Sequence, residues 1–489
     1  MSSIPTLLRH RWLRFLRPLL PSFVADAVLP EPRPPAWRLH PTSYLDGLRG
    51  LAAVIVCICH YTENNFSALT PSYGLGPEAA DSSWLQLPFL RAVFSGRPMV
   101  HIFFVISGFV LSYKPVRALH AGDRDKCYTT LASSTFRRGI RLFGPCLVST
   151  LMIACLRQMG YLGLARETFV EEMWKWQAAI VHQITWSWEW DRDLRPAYDV
   201  HLWTIPIEFA HSMLLFMTLL MLSRARRGVR RATVFAMMMY CLTCGKWAGF
   251  EFLAGLLLAE VYVLRSTEAK EWEGDSETDQ PQASIAGWLL KTFQCGLIVL
   301  GLFIGGWPNK GAEDTPGIRY FLAQTPLPFA KMDALAPQKF WFGLSAVATV
   351  WAVGDLGFLR RFFEGPFAQY CGRISYAVYI CHGPVEELFR DWLLGHPEIP
   401  AKGEVGVADY HPALPATGVK GWIGLETKRQ IILGWFVGLW LLGPLVVWTA
   451  DVFWRAVDNQ VVSFARKLES ICLDDEEPSP RSQGYSAAA

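Results

Sequence analysis

The sequence predicts an all-α integral membrane protein, a polytopic bundle of about ten transmembrane helices. Of its 489 residues, 52% are hydrophobic and only 18% are charged, whereas an ordinary soluble domain carries about 25% charged residues. The apolar residues gather in runs bounded by charged residues or helix breakers, and a spanning helix needs about 20 of them. A net charge of +3, with basic residues in short clusters, excludes a nucleic-acid-binding surface.

About ten charge-poor runs are candidates for spanning helices. They are centred on residues 45–62, 98–113, 142–157, 202–222, 232–246, 250–264, 287–307, 340–354, 374–391 and 430–450. The last run contains no charged residue between Arg429 and Asp451. The fifth and sixth runs are short and can alternatively form one broken or re-entrant hairpin, so the count is uncertain by about two.

The distribution of lysine and arginine predicts the orientation, because short cytosolic loops retain these residues. A group of arginines precedes the first run, namely Arg9, Arg11, Arg14, Arg17, Arg33 and Arg38. The loop 62–90 contains neither lysine nor arginine, and basic clusters return at 114–141 and 224–231. With an even number of spans, both termini and the acidic segment 271–282 are cytosolic, and the loop 395–428 lies on the opposite side.

The chain divides into three parts. Residues 1–43 form a cytosolic basic arm at the membrane interface; they do not resemble a signal peptide, because prolines and Asp26 interrupt the apolar core and no small-residue cleavage site follows. Residues 44–451 form the transmembrane domain. Residues 452–489 form a cytosolic tail, whose acidic end at 474–489 is expected to be disordered.

The eleven cysteines do not predict a disulfide framework, because most of them lie within or at the ends of apolar runs, where cysteine packs as a small hydrophobic residue. Cys241 and Cys244 form a CxxC pair that could bind a metal or undergo redox cycling. Since no second pair follows at zinc-finger spacing, packing is the preferred interpretation. No metal cofactor is expected.

Two ionisable residues lie in the first apolar run. Arg49 and His60 are eleven residues apart, which returns to within about 20° of the same helix face three turns further on. An ionisable group within a span is costly and usually faces the bundle interior, so both residues are expected to face one cleft and to have a function. Alternatively, Arg49 reaches the cytosolic interface and pairs with Asp46, while His60 only marks the helix end.

A second basic feature is the segment FRRGIRLFGP at 136–145. It places Arg138 and Arg141 at i, i+3 on one helix face, at the predicted cytosolic mouth of the third span. The planar fork of arginine suits phosphate groups, so the pair is a candidate phosphate site. The alternative is an anchor that retains this loop in the cytosol.

Two later runs also carry ionisable residues. In HLWTIPIEF, His201 and Glu208 are about two helical turns apart on a common face. An intramembrane glutamate is hard to explain by packing, whereas His201 can be an ordinary interfacial histidine. In ISYAVYICHGPV, His382 precedes Gly383 and Pro384, and its alternative is a core histidine bonded to a carbonyl that the proline frees.

Five motifs in order resemble those of the acyltransferase 3 family of integral membrane O-acyltransferases. They are LDGLRGLAA with its R-x10-H spacing, IFFVISGFVLS, RRGIRL, HLWTIPIEF and ISYAVYICHGPV. The resemblance covers roughly residues 44–450. It implies a roughly ten-helix enzyme that transfers an acyl group, often acetyl from acetyl-CoA, to a hydroxyl of a sugar, lipid or small metabolite.

The resemblance also implies residue roles. Arg49 and His60 match the essential arginine and histidine of the family, and RRGIRL matches its arginine pair. Two departures concern the acceptor side: His101 stands where many relatives carry an acidic residue, and TIPIE follows HLW, with Pro206 expected to kink the helix.

Acyl transfer from a thioester to an alcohol needs a base for the hydroxyl proton. His60 is the candidate, because histidine can accept a proton at neutral pH. Arg49 would orient a substrate or stabilise the tetrahedral intermediate, an effect of roughly 3 kcal/mol for one well-placed donor. Arg138 and Arg141 would bind the phosphates of the acyl-CoA. Secondary candidates for shaping the acceptor pocket or relaying a proton are Glu208 and His382.

Other interpretations remain open. A covalent route through Ser107 or a cysteine is less favoured than direct transfer, because no G-x-S-x-G elbow is present. A proton-coupled transporter could also carry intramembrane histidine and glutamate, but it need not have the arginine pair. Intact Arg49 and His60 argue against an inactive regulatory protein. The tails and insertions favour a fungal endomembrane enzyme of specialised metabolism.

Overall fold

The computed structural model describes residues 19–28, 39–75, 82–162, 168–185, 195–275, 285–394 and 427–473. These residues form helices and no β-strand, apart from an isolated bridge between Pro71 and Lys310. The all-α prediction is therefore confirmed. Most of the basic arm and of the acidic segment, the loop 395–426 and the acidic end of the tail lie outside the described residues, so what was expected of them stays a prediction.

The described residues contain sixteen α-helices. The first eight are α1 (Ser22–Val28), α2 (Ser43–Asn65), α3 (Arg97–His120), α4 (Arg124–Gln158), α5 (Phe169–Ala179), α6 (Thr204–Met221), α7 (Arg227–Thr243) and α8 (Trp247–Asp275). The remaining eight are α9 (Ile285–Gly305), α10 (Ile318–Ala323), α11 (Phe329–Met332), α12 (Ala336–Asp355), α13 (Gly357–Phe363), α14 (Pro366–Leu394), α15 (Lys428–Phe453) and α16 (Asn459–Cys472). Short 3₁₀ segments lie at Ser67–Leu69, Trp84–Gln86, Arg91–Phe94 and Val200–Trp203, and π-helical segments at Ile180–Thr185 and Trp454–Asp458.

Within the described residues, seven helices are long and apolar enough to cross a membrane. An eighth is present if α12 and α13, which meet at an angle of 95°, count as one broken span. The polytopic prediction is confirmed, with a count below ten. The run 232–246 falls in α7, whose 17 residues reach only about 25 Å, short of the roughly 30 Å apolar core of a bilayer. The run 374–391 falls in α14, which is long but carries several charged residues.

The fifth and sixth runs form two separate helices. Gly245 ends α7 with a left-handed φ of +72°, a conformation that glycine adopts without steric penalty. The chain then turns directly into α8, which packs alongside α7. The structure therefore contains a helical hairpin of two elements, and the sharply bent pair lies further along the chain, at α12 and α13.

Two of the helices that carry predicted functional residues, α2 and α14, are in direct contact. An added Cβ at Gly50 would lie 2.1 Å from the backbone nitrogen of Gly372, so α2 and α14 touch through their backbones. Small residues permit such close approach between helices in a membrane. The indole of Trp435 in α15 donates to Thr62 at 2.8 Å. These contacts fix α14 and α15 on either side of the functional face of α2.

Buried contacts between histidines and carboxylates join α3 to α8. His101 contacts Glu251, and both side chains are almost fully buried. His120 lies 2.8 Å from Glu260, whose other oxygen pairs with Arg230. Charged groups inside a membrane protein normally pair in this way, because an isolated charge would be very unfavourable there. His101, the departure noted in the sequence, thus has a structural partner on α8.

Pro206 does not kink the helix, and this expectation was wrong. α6 begins at Thr204, so Pro206 occupies its first turn, where a backbone N–H would have no partner within the helix. The preceding residues form the 3₁₀ turn Val200–Trp203. Proline here starts the helix. Pro384 lies within α14 and does not end that helix.

The eleven cysteines are free thiols, and most of them are buried or half-buried. Cys241 is half-buried at the end of α7, and Cys244 is exposed in the turn that follows. Packing therefore describes Cys241 but not Cys244.

Candidate active site

A cavity of about 410 Å³ opens among α2, α3, α4, α6, α14 and the segment that follows α15. The arginines that line it are Arg49, Arg138, Arg141 and Arg373. Among the residues that the structure describes, two carboxylates, those of Glu208 and Asp458, line the same space. The arginine pair predicted from the sequence therefore lies together, in a cavity whose charge favours an anionic ligand.

Hydrogen bonds fix the guanidinium group of Arg138. Its Nη2 donates to Oε1 of Glu208 at 2.7 Å, and its Nε donates to Ser212 at 3.0 Å. Ser107 donates to the same glutamate oxygen at 3.0 Å. Glu208 thus acts as a support for Arg138. The hydroxyl proton of Ser107 is directed at Glu208, and no histidine of the described residues lines the cavity beside it. Ser107 is therefore not arranged as a nucleophile beside an imidazole base.

The sequence left open whether Arg49 pairs with Asp46 or faces a cleft between helices, and the structure shows both. Nη2 of Arg49 lies 3.0 Å from Asp46, the neighbour one turn earlier. Its Nε donates to Ser375 at 3.1 Å and its Nη2 to the carbonyl of Gly372 at 3.2 Å, both on α14. The residue therefore bridges α2 to α14 and also lines the cavity.

Three histidines from distant parts of the chain form a second cluster. The ring centroids of His60 and His201 are 4.2 Å apart, those of His201 and His382 are 4.5 Å apart, and those of His60 and His382 are 5.3 Å apart. His60 and His382 were predicted as site residues, and the structure brings them together. His201, for which an interfacial role was the alternative, lies between them.

Two of these imidazoles have their tautomers fixed by neighbours. Nδ1 of His201 lies 2.8 Å from Oδ1 of Asp199, and a carboxylate only accepts, so Nδ1 carries the proton and Nε2 presents a lone pair. Nδ1 of His382 likewise donates to the carbonyl of Val378 at 3.1 Å. Its Nε2 is buried and has no hydrogen-bond partner within the described part of the chain. The carbonyl freed by Pro384 belongs to Ile380, so it is not the acceptor that the sequence suggested.

The expectation of a common face for His201 and Glu208 is not met. His201 belongs to the 3₁₀ turn before α6, which has about three residues per turn instead of 3.6. This difference rotates His201 away from Glu208, toward His60. Glu208 instead lines the arginine cavity.

The arginine cavity and the histidine cluster are adjacent but separate. Tyr379 and Thr204 line the cavity, whereas the three histidines do not. The hydroxyl of Tyr379 donates to the carbonyl of His201 and lies 2.6 Å from the hydroxyl of Thr204. Since the tyrosine proton is committed to that carbonyl, Thr204 is the donor to Tyr379. Arg49 and His60 therefore do not face one cleft, because this side-chain pair stands between them.

The cluster also has the composition of a metal site. One ring nitrogen from each histidine lies within 4.8 Å of the others, and neutral imidazole is a frequent metal ligand. In a tetrahedral site with bonds of about 2.0–2.1 Å, ligand nitrogens are roughly 3.4 Å apart. Binding a metal would require the three nitrogens to take this separation around the ion.

Sequence reasoning missed three residues of this region: Asp199, Tyr379 and Arg373. Asp199 precedes the apolar run as an ordinary polar residue, and its only local signal is the D-x-H spacing to His201. Tyr379 resembles any aromatic residue of a membrane helix. Arg373 lies at the beginning of a predicted span, where a basic residue is normally interpreted as an anchor.

Comparison with known proteins gives consistent results. Residues 42–455 match the family described as an acyltransferase domain. The chain is 31% identical over 383 residues to the O-acetyltransferase PaAT-1 of Phomopsis amygdali, covering 71% of this chain and 72% of that protein. It is 26% identical over 401 residues to the acyltransferase clz18 of Cochliobolus lunatus (70% and 82% covered) and 25% identical over 403 residues to the acyltransferase R4 of Phoma sp. (72% and 83% covered). No solved structure matches the chain.

Proposed function

The chain belongs to the acyltransferase 3 family, and on this premise we propose that it moves an acyl group from acyl-CoA to a hydroxyl of a small metabolite, lipid or sugar. Acetyl is the expected acyl group, and one relative carries the name O-acetyltransferase. The observation that carries the proposal is the arginine-lined cavity whose inner end adjoins a cluster of three histidines.

The cavity suits the donor. CoA carries several phosphates at one end and its thioester at the other, joined by the pantetheine arm. The phosphates would bind to Arg138 and Arg141, since guanidinium groups form paired hydrogen bonds to phosphate oxygens. Arg49 and His60 are about 16 Å apart along α2, a separation that an extended pantetheine arm can cover. The thioester would then reach the neighbourhood of Tyr379 and Thr204.

The histidine cluster suits the acceptor. His60 would remove the proton from the acceptor hydroxyl as the oxygen attacks the thioester carbonyl. The tetrahedral intermediate then collapses, the carbon–sulfur bond breaks, and the CoA thiolate takes up the proton. For donor and acceptor to meet, the side chains of Tyr379 and Thr204 must separate, which a bound acceptor or the acyl group itself would cause.

The proposal includes a location. Arg49, near the start of α2, and Trp454, after α15, both line the cavity. The basic clusters assign these helix ends to the cytosol. Acyl-CoA would therefore enter from the cytosol, with both termini on that side of an endomembrane. The histidine cluster lies toward the other end of α2 and α14.

The test is release of free CoA from acetyl-CoA by the purified, detergent-solubilised protein with a panel of hydroxylated acceptors. His60→Ala should lose at least about 100-fold in kcat, the effect of a missing general base. His182→Ala, which changes an exposed histidine outside the cluster, is the control and should keep full activity.

Two outcomes would contradict the proposal. Activity that is indifferent to His60→Ala would remove the role of this histidine as base. Failure to bind acyl-CoA at all, together with solute flux in reconstituted vesicles that needs no acyl donor, would identify the protein as a transporter. The arginine cavity argues against this second result, because a proton-coupled transporter does not require a phosphate site.

A further inference from the structure

We propose that Asp199 and His201 form a proton relay with His60, in which His201 holds the proton taken from the acceptor and Asp199 positions His201. The relay rests on the proposed function, because it serves the deprotonation step of acyl transfer. It assigns a role to two residues for which neither the motifs nor the comparisons provide one.

The contacts of Asp199 carry the first part of the inference. Its Oδ1 accepts both the backbone N–H of His201, at 3.0 Å, and Nδ1–H of the same residue, at 2.8 Å. The carboxylate is 5% exposed, and its Oδ2 has no hydrogen-bond partner among the residues that the structure describes. The aspartate thus begins the 3₁₀ turn and fixes the imidazole of His201 in one orientation, with the Nε2 lone pair directed away from it.

The distance between the rings carries the second part. The rings of His60 and His201 meet edge to face, with centroids 4.2 Å apart and an interplanar angle of 66°. One ring nitrogen of His60 and one of His201 lie within 4.8 Å of each other. A small ring rotation or one bridging water molecule would place a proton of His60 on the free nitrogen of His201.

Charge decides where the proton rests. A protonated imidazole in a buried site is strongly unfavourable unless an opposite charge compensates it. Of the three histidines, only His201 is bonded to a carboxylate, whereas His382 is bonded to a neutral carbonyl. An arrangement in which a buried aspartate orients and neutralises a histidine is how hydrolases stabilise the imidazolium form.

The proton balance closes over one cycle. One ring nitrogen of His60 accepts the hydroxyl proton while the other donates its own proton to Nε2 of His201, and Nδ1–H of His201 stays bonded to Asp199. When the carbon–sulfur bond breaks, the proton returns by the same route to the CoA sulfur. His60 ends the cycle neutral, and no other reactant is consumed.

A metal ion is the competing occupant of this cluster. One nitrogen from each ring lies within 4.8 Å of the other two, and ligands of one tetrahedral ion are roughly 3.4 Å apart, so small ring movements would let the cluster hold an ion. The geometry of Asp199 is compatible with either interpretation, since metal-bound histidines also donate to carboxylates. The experiment below therefore includes the metal content.

Asp199→Asn is the sharpest variant. Asparagine also begins helical turns well, so the backbone bond to His201 and the local fold should persist. The amide has no charge, and its NH₂ group would favour the opposite tautomer of His201. We expect kcat to fall at least about 100-fold, with KM for acyl-CoA unchanged, because the donor cavity is separate. His201→Gln should behave in the same way.

The matched control is His211→Gln. His211 is fully buried, lies on α6, and bonds a backbone carbonyl at 2.8 Å, but it is outside the cluster. It should retain activity. A second readout distinguishes a relay from a structural role. Added imidazole should partly restore the activity of His201→Gly. It should restore the activity of His60→Ala less, if His201 acts through His60.

Each result supports or overturns the relay. Wild-type levels of kcat in both Asp199→Asn and His201→Gln would overturn it and leave acyl transfer intact. Stoichiometric zinc in the purified wild-type protein, lost in His382→Ala, would replace the relay by a metal site. If the wild-type protein releases no CoA with any acceptor, it is the proposed function that fails, before the relay is tested.

Discussion

At the scale of single residues, the arginines of the segment RRGIRL differ in what they contact. Arg137 bonds Ser133 at 2.7 Å and pairs with Glu469 of α16 at 3.0 Å, outside the cavity. Arg138 is held by Glu208, and Arg141 lines the cavity. A positive-inside anchor would not distinguish among the three, whereas a phosphate site would use only those that face the cavity.

Arg141→Ala should therefore raise the KM for acyl-CoA by roughly 10- to 100-fold, since a charge-assisted hydrogen bond contributes about 1.5–3 kcal/mol. The kcat should change little, because the histidine cluster lies beyond Tyr379. Arg137→Ala, on the same helix, should leave both constants within about twofold. Steady-state CoA release at varied acetyl-CoA concentration measures these effects. Equal losses in the two variants would indicate an anchoring role for all of these arginines.

The site could be predicted from the sequence only where a residue conflicts with its surroundings. His60, Glu208 and His382 each place an ionisable group in an apolar run, and this is visible along the chain. Asp199 does not conflict with its surroundings, because it precedes its run. Its closeness to His60, more than a hundred residues away in the chain, depends on how the helices pack, and a single sequence does not encode that packing locally.

At the scale of helices, the contact between α2 and α14 positions both halves of the site. Gly50 and Gly372 allow the two backbones to touch. Arg49 donates a hydrogen bond to Ser375, which lies about one turn after Gly372 on α14. The same pair of helices carries His60 and His382, whose rings stack with centroids 5.3 Å apart. The spacing of these helices therefore sets the distance between the two imidazoles.

Gly50→Ala should force the two helices apart, because its Cβ would lie 2.1 Å from the backbone of Gly372. We expect a destabilisation of about 1–3 kcal/mol, typical of overpacking, and a lower kcat. Gly296→Ala is the matched control, since Gly296 of α9 has no atom within 4 Å of an added Cβ. That variant should be neutral or gain up to about 1 kcal/mol from helix propensity. Thermal unfolding in detergent measures both, and an equally stable Gly50→Ala protein would contradict the packing argument.

The helices themselves were largely predictable, because apolar length and charged ends are properties of the sequence. The errors arose where a residue has two structural uses. Proline can kink a helix or lie in its first turn, and Pro206 lies in the first turn of α6. An apolar run can span a bilayer or stop short of it, and α7 has 17 residues. Part of the predicted tail is also helical and forms α16. This helix packs against α4 through Glu469 and contributes Asn459 to the cavity wall.

At the scale of the whole molecule, the predicted topology has consequences for two native cysteines. Cys244 and Cys472 are the exposed thiols of the chain. The basic cluster at the beginning of α7 predicts that this end is cytosolic, so the other end of α7, although the helix is short, points toward the far side, whereas the end of α16 is predicted to lie in the cytosol. The two thiols should therefore react from opposite sides.

A membrane-impermeant maleimide applied to sealed, cytosolic-side-out vesicles should label Cys472 and spare Cys244 until detergent is added. Cys472→Ser should abolish the labelling of intact vesicles, and Cys244→Ser should leave it unchanged. Labelling of both cysteines before the detergent step would contradict the orientation, without bearing on the catalytic residues.

The hydrogen-bonded pair of Tyr379 and Thr204 has a further consequence for how the enzyme handles an empty acceptor site. Water is far more abundant than any alcohol and could also attack a thioester beside an activated base. In the proposed reaction, the closed pair would keep the donor and the base apart, so we expect hydrolysis of acyl-CoA to be slow until an acceptor binds. Tyr379→Ala should accordingly release CoA without acceptor faster than wild type, and an unchanged background rate would show that the pair is no barrier. In the proposed reaction, Tyr379 would thus limit the loss of acyl-CoA by hydrolysis.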